Sequence, residues 1–116
     1  MIWKLEFLPE VLDDLDSLDN SIRLPVLKGI RKVQQNPLPK EEGGYGTPLG
    51  NKNSSDLTGL FKIKFLKYGI RVVYKLERQN NLMKIIVISA RAENKVYEEA
   101  GSRREKYATA QRISPM

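Results

Sequence analysis

Neither cysteine nor histidine occurs in this chain of 116 residues. The first absence excludes disulfides, thiol nucleophiles and thiolate metal sites. The second excludes zinc sites built on imidazole, the Ser-His-Asp triad and the commonest acid–base group near neutral pH. Proton transfer is left to Lys, Tyr, carboxylates or, against its very high pKa, Arg. No stretch is apolar for long enough to span a bilayer. The first residues lack the pattern of a secretory signal, so a cytoplasmic location is the expectation. Internal repeats and low-complexity segments are also missing. The GGYG run at 43–46 has neither the glycine spacing nor the Lys and Ser or Thr of a phosphate-binding loop. Its glycines are assigned to turns.

Acidic residues are scarce where basic ones are dense. Twenty Lys and Arg stand against fourteen Asp and Glu, a net charge of +6. The first twenty residues carry Lys4 against Glu6, Glu10, Asp13, Asp14, Asp16 and Asp19, whereas no Asp or Glu lies between Leu57 and Leu76. A segregated positive patch implies a polyanionic partner, nucleic acid or an acidic protein.

That acid-free stretch organises the chain. In LFKIKFLKYGIRVVYKL, residues 60–76, Phe61, Ile63 and Phe65 alternate with Lys62 and Lys64. After a break at Lys67, Tyr68 and Gly69, the residues Ile70, Val72, Tyr74 and Leu76 alternate with Arg71 and Lys75. Period two predicts two strands, each with one buried and one wet face, joined as a hairpin. Directly opposed residues share a face, so paired numbers must sum to an odd value. A two-residue loop at Lys67 and Tyr68 meets this condition; it pairs Lys64 with Arg71 and Lys62 with Val73. Three cations then crowd one patch of the outer face. Like charges across a sheet destabilise it, so an anion is expected there.

A chain of this size supports one domain with a modest core. Ile2–Phe7 alternates and is predicted as a strand. Leu8, Val11, Leu12, Leu15 and Leu18 recur at helical spacing, with Pro9 in the first turn and the aspartates on a solvated face. A second stripe, Ile22, Val26, Ile30 and Val33, ends at Asn36-Pro37. Pro25 conflicts with a helix begun at Asn20, so the helix either starts near Pro25 or kinks there. Residues 37–58, rich in Pro, Gly, Asn and Ser, read as a long surface loop. Leu82–Ala90 is nearly continuous in apolar residues and predicts a central strand buried on both faces, with Arg91 at its end. A C-terminal helical segment covers about 96–112, interrupted at Gly101-Ser102. The part from Arg103 to Arg112 is expected to dock as a weak, separable unit.

With this order of elements, and with KIKFLKYGIRVVY and VISARAENKVYEEA at its centre, the chain resembles the RelE/ParE superfamily of bacterial toxin–antitoxin toxins, and in particular the RelE-type messenger RNA endonucleases. The resemblance runs along nearly the whole chain. It implies an α+β, RelE-like fold, with an antiparallel-rich sheet packed against an N-terminal helical hairpin and a C-terminal helix. It also implies that Lys62, Lys64, Arg71, Arg91 and Tyr97 are catalytic; the remaining hairpin cations, Lys67 and Lys75, are assigned to RNA binding. The implied activity is ribosome-dependent cleavage of messenger RNA in the A site, by metal-independent attack of a 2′-hydroxyl on the adjacent phosphate, with no cofactor. The implied partners are the ribosome, its messenger RNA and a RelB-like antitoxin, DNA being met only through the antitoxin. Two alternatives stand beside this reading: a toxin of the same superfamily that inhibits gyrase without cutting RNA, and a catalytically silent RNA-binding module. The loop over 37–58 and the segment after Gly101 look longer than the family pattern.

Such a reaction needs a proton acceptor, cations for the phosphorane and help for the departing 5′-oxygen. Neighbouring cations depress a lysine pKa, so Lys62 or Lys64 is a candidate general base. Arg71 and the other lysine would hold the phosphate, the Arg fork suiting bidentate contact. By the resemblance, Arg91 stabilises the leaving group, and Tyr97 either stacks on a base or moves a proton.

Overall fold

The computed structural model describes residues 2–52 and 55–113. Its elements are β1 (Lys4–Phe7), α1 (Pro9–Asp16), α2 (Asn20–Gln34), β2 (Thr47–Lys52), β3 (Ser55–Phe65), β4 (Ile70–Glu77), β5 (Leu82–Ser89) and α3 (Glu93–Ile113). The fold is α+β, a five-stranded mixed sheet in the order β1-β5-β4-β3-β2. β1 runs parallel to β5; the other neighbours are antiparallel.

Period two sets the central register. Phe65 pairs with Ile70, Lys64 with Arg71, Ile63 with Val72 and Lys62 with Val73, as parity requires. The ladder stops at Phe65 and Ile70, so four residues, Leu66–Gly69, make the turn. Gly69 closes it at φ +67° while its N–H donates to Leu66 O at 3.3 Å, which leaves Lys67 and Tyr68 as the two central positions. β5 lies between β1 and β4, and its run Ile85–Ile88 is buried throughout. A bulge between Val73 and Tyr74 shifts the register so that Val73 faces Val87 and Tyr74 faces Ile85.

The two faces divide by parity. One carries Phe61 stacked on Tyr74, ring centroids 5.1 Å apart, together with Ile63 and Phe65. α2 covers it with Val26, Ile30 and Val33, and at Gly29 the helix comes so close to the Phe65 ring that a Cβ would collide with it. α3 lies across β3, β4 and β5 on the other face, burying Val96, Tyr97 and Ala100.

Four expectations change. The loop over 37–58 contains β2 and the start of β3, which form a hairpin with pairs from Thr47↔Lys62 to Lys52↔Ser55. α2 begins at Asn20 and runs through Pro25, so of the two readings of that proline the later start is excluded. Leu12 is exposed despite its place in the helical stripe. α3 is continuous through Gly101-Ser102, since a helix whose apolar face is packed absorbs the cost of about 1 kcal/mol for one interior glycine.

The second half of α3 is tied down instead of being separable. Beyond Phe7, β5 has lost its β1 neighbour, and α1 lies against it: the Ile88 N–H donates to Asp14 Oδ2 at 3.0 Å. Arg103 donates to both oxygens of Asp14, at 2.8 and 3.1 Å, and to Ile86 O at 2.9 Å. One Asp–Arg pair therefore satisfies the strand edge that β1 leaves open and fixes α3 to α1. Glu10 adds to the tie, accepting from Lys106 Nζ and Tyr107 Oη, each at 2.9 Å. Some of the acidic residues read as a solvated face are thus contacts for α3.

Candidate functional site

Alternation alone sends Lys62 and Lys64 to the face of the sheet that carries Arg71, directly opposite Lys64. Like charges this close repel, and the fold supplies the anion expected between them. α3 begins with Glu93, whose Oε1 lies 3.7 Å from Lys64 Nζ and 4.0 Å from Lys62 Nζ. One helical turn on, Tyr97 donates its hydroxyl to the same oxygen at 2.7 Å.

The electrostatics follow from these contacts. The Tyr97 hydrogen bond and then the charges of Lys64, Lys62 and Arg71 hold the Glu93 carboxyl below the usual range, overcoming its desolvation. Burial, with help from Glu93, pushes the Tyr97 phenol far up, so it stays protonated at neutral pH. Lys62 is the more enclosed lysine, with 18 % of its side chain exposed against 37 % for Lys64. Arg71 Nε is buried and has no hydrogen-bond partner among the described residues. An unpaired buried donor costs about 1–3 kcal/mol, and an acceptor entering the cluster would recover part of that.

Arg91 is exposed two residues beyond Ser89, the strand partner of Arg71, and its N–H donates to Ser89 Oγ at 3.0 Å. It emerges at the same end of the sheet as the cluster. Lys67 sits exposed in the turn after β3, its Nζ 5.6 Å from the Tyr68 ring centroid. Lys75 lies elsewhere. It faces Leu60 and Lys84 towards the other end of the sheet and pairs with Glu77 at 3.6 Å. The structure therefore gathers Lys62, Lys64, Arg71 and Tyr97, sets Arg91 at their end, and leaves Lys75 apart.

Sequence reasoning missed Glu93. It lies 29 positions after Lys64, and the one local signal for it was its i,i+4 spacing to Tyr97 on a helix. Among the described residues no group of three or more Asp, Glu, His or Cys side chains gathers as a metal would need. No helix among them is long and apolar enough to cross a membrane. What the cluster can do is hold a phosphate: three cations converge, one with a planar fork, beside a protonated phenol.

No protein-family model and no curated protein matches the sequence. Solved structures do match. A double mutant of the Escherichia coli toxin RelE in the free state superposes with a TM-score of 0.68 at 24% identity, over 89% of this chain and 98% of that one. The toxin–antitoxin complex RelBE2 of Mycobacterium tuberculosis gives 0.57 at 20% identity, over 78% of this chain and 100% of that one. The archaeal RelE–RelB complex of Pyrococcus horikoshii gives 0.58 at 19% identity, over 80% and 99%. The chain has the fold of the RelE toxins.

Proposed function

We propose that the protein is the toxin of a type II toxin–antitoxin pair, a metal-independent endoribonuclease that cuts messenger RNA in the ribosomal A site and is neutralised by a RelB-like antitoxin. The observation that carries the reading is the meeting of Lys62 and Lys64 at one acceptor position, now held by the Glu93 carboxylate, with Arg71 directly across the ladder from Lys64 and its charge felt by the same carboxylate. The RelE fold and the presence of RelB in the matched complexes support the partner.

The chemistry is an in-line displacement. The 2′-hydroxyl attacks the adjacent phosphorus, the bond to the 5′-oxygen breaks, and the products are a 2′,3′-cyclic phosphate and a 5′-hydroxyl. Lys62 or Lys64, released from Glu93 and having given its own proton to solvent, accepts the 2′-hydroxyl proton as a neutral amine, while the other lysine and Arg71 stabilise the phosphorane. Tyr97 is held protonated by burial and by Glu93, and its ring is buried against the sheet, so it serves as a hydrogen-bond donor, neither as the base nor as a stacking surface. Arg91 supports the negative charge that grows on the 5′-oxygen.

Brief expression followed by mapping of RNA 5′ ends tests the reading. Cuts within translated codons, absent with Arg71→Lys, are expected. DNA breaks without such cuts would replace it with a gyrase-inhibiting toxin, and neither lesion would leave a silent RNA-binding module.

A further inference from the structure

The GGYG run, which the catalytic reading leaves unused, presents an aromatic ring beside the cation cluster. β2 begins at Thr47, opposite Lys62, so from Ile63 to Phe65 β3 has a strand neighbour only on its β4 side. In that gap lies a groove of about 260 Å³ bordered by Tyr45, Thr47, Lys62 and Lys64. It is smaller than the roughly 300–1,000 Å³ pockets of drug-sized ligands, a size for one flat ring. Lys62 and Lys64 border both this groove and the Glu93 cluster, so the same two side chains link them.

Tyr45 is held with unusual care for a surface residue. Its side chain is 49% exposed, yet its N–H donates to Asn36 O at 2.9 Å and the next N–H, of Gly46, to Leu38 O at 2.9 Å. Tyr74 Oη donates to Pro37 O at 2.9 Å beneath the same segment. Arg78 grips Glu42 through two hydrogen bonds of 2.9 and 2.8 Å. The glycines on either side are sterically required: a Cβ at Gly44 would collide with Leu38 O, and one at Gly46 would fall 2.7 Å from Tyr74 Oη and 2.8 Å from Pro37 O. Lys32 of α2 places its ammonium 5.8 Å from the ring centroid, a further cation beside Tyr45. A rigid exposed ring among cations, next to a phosphate site, is the arrangement that binds single-stranded nucleic acid by stacking.

We propose that Tyr45 is a stacking platform for an RNA base next to the scissile phosphate, so that the 36–46 segment positions the strand across Lys62 and Lys64. This rests on the endoribonuclease reading. The test is titration at low salt of a single-stranded 2′-O-methyl RNA heptamer with the wild type, Tyr45→Phe and Tyr45→Ala, repeated with an abasic residue at each position in turn. Because Tyr45 makes its hydrogen bonds through the backbone, thermal melting should show both variants folded as the wild type. Tyr45→Phe should bind as the wild type does, and Tyr45→Ala should bind about tenfold more weakly, the loss of one base–aromatic stack. At one abasic position the wild type should weaken by the same factor and its advantage over Tyr45→Ala should vanish. Equal binding by all three proteins, or an advantage that survives every abasic position, overturns the platform while leaving the endoribonuclease reading intact. If the wild type binds none of the RNAs, the platform falls, and the endoribonuclease reading is decided separately by cutting on the ribosome.

Discussion

On the proposed function, Glu93 and a phosphate compete for the same cations. In the free protein the carboxylate takes the place between Lys62 and Lys64, and if RNA binds as proposed its negative charge must leave or share that place. Glu93→Gln keeps the size and an acceptor for Tyr97 but removes the charge. It should therefore tighten binding of the 2′-O-methyl RNA, with the gain fading as salt rises; unchanged or weaker binding would remove Glu93 as a competitor. Arg71→Lys should keep the charge but lose the fork, lowering cleavage by about a hundredfold, the scale of one preorganised donor. Lys75→Ala, at a side chain already paired with Glu77, should change only the salt dependence of binding; equal losses in cleavage from the two would leave only a basic patch. Parity alone placed Lys62, Lys64 and Arg71 together, because alternation fixes which side of a strand each residue takes. It had no means of finding Glu93, which reaches the cluster only because α3 folds back across the sheet.

At the level of elements, α3 was the segment least legible in the sequence. Gly101-Ser102 read as a break, yet the helix continues because its fixings come from elsewhere: Arg103 on Asp14, and Lys106 and Tyr107 on Glu10. A Cβ at Gly101 would meet only Leu57 Cδ2, at an ordinary 3.6 Å. Gly101→Ala should thus stabilise the protein by about 0.8–1 kcal/mol in denaturant unfolding; destabilisation would mean that the helix needs the glycine. The tie to α1 depends on pH. Hydrogen bonding to Lys106 lowers the Glu10 pKa to about 2 in the folded chain, against 4.5 for the free group. Its contribution is complete above about 4.5 and is lost as pH falls towards 2. Hydrogen exchange should show the second half of α3 opening across that window in the wild type, and less steeply in Glu10→Gln. β2 was missed for a different reason: TPLGNK contains Pro, Gly and Asn and no apolar alternation. As an edge strand it needs little burial of its own, so its register comes from β3 and not from its own pattern.

Across the whole molecule, the fold sorts charge. Glu10 and Asp14 of α1 meet the basic second half of α3, while Lys62 and Lys64 of β3 meet Glu93. A positive end of this kind attracts RNA but orients it poorly. With neither histidine nor cysteine to supply acid–base strength, much of the rate of the proposed cleavage must come from positioning, which is worth roughly 7–11 kcal/mol when the reacting atoms are well aligned. A cluster with three cations and one protonated phenol does not supply that alignment by itself; on the proposed function, a ribosome holding the codon does. The direct measurement is the cleavage rate of one messenger RNA, free and in programmed ribosomes, by the wild type and by Arg71→Lys. The account predicts fast cutting within the A-site codon on the ribosome, slow cutting of the free strand, and loss of the fast reaction with Arg71→Lys. Equally fast cutting of free and ribosome-bound RNA, or full activity of Arg71→Lys, would contradict it.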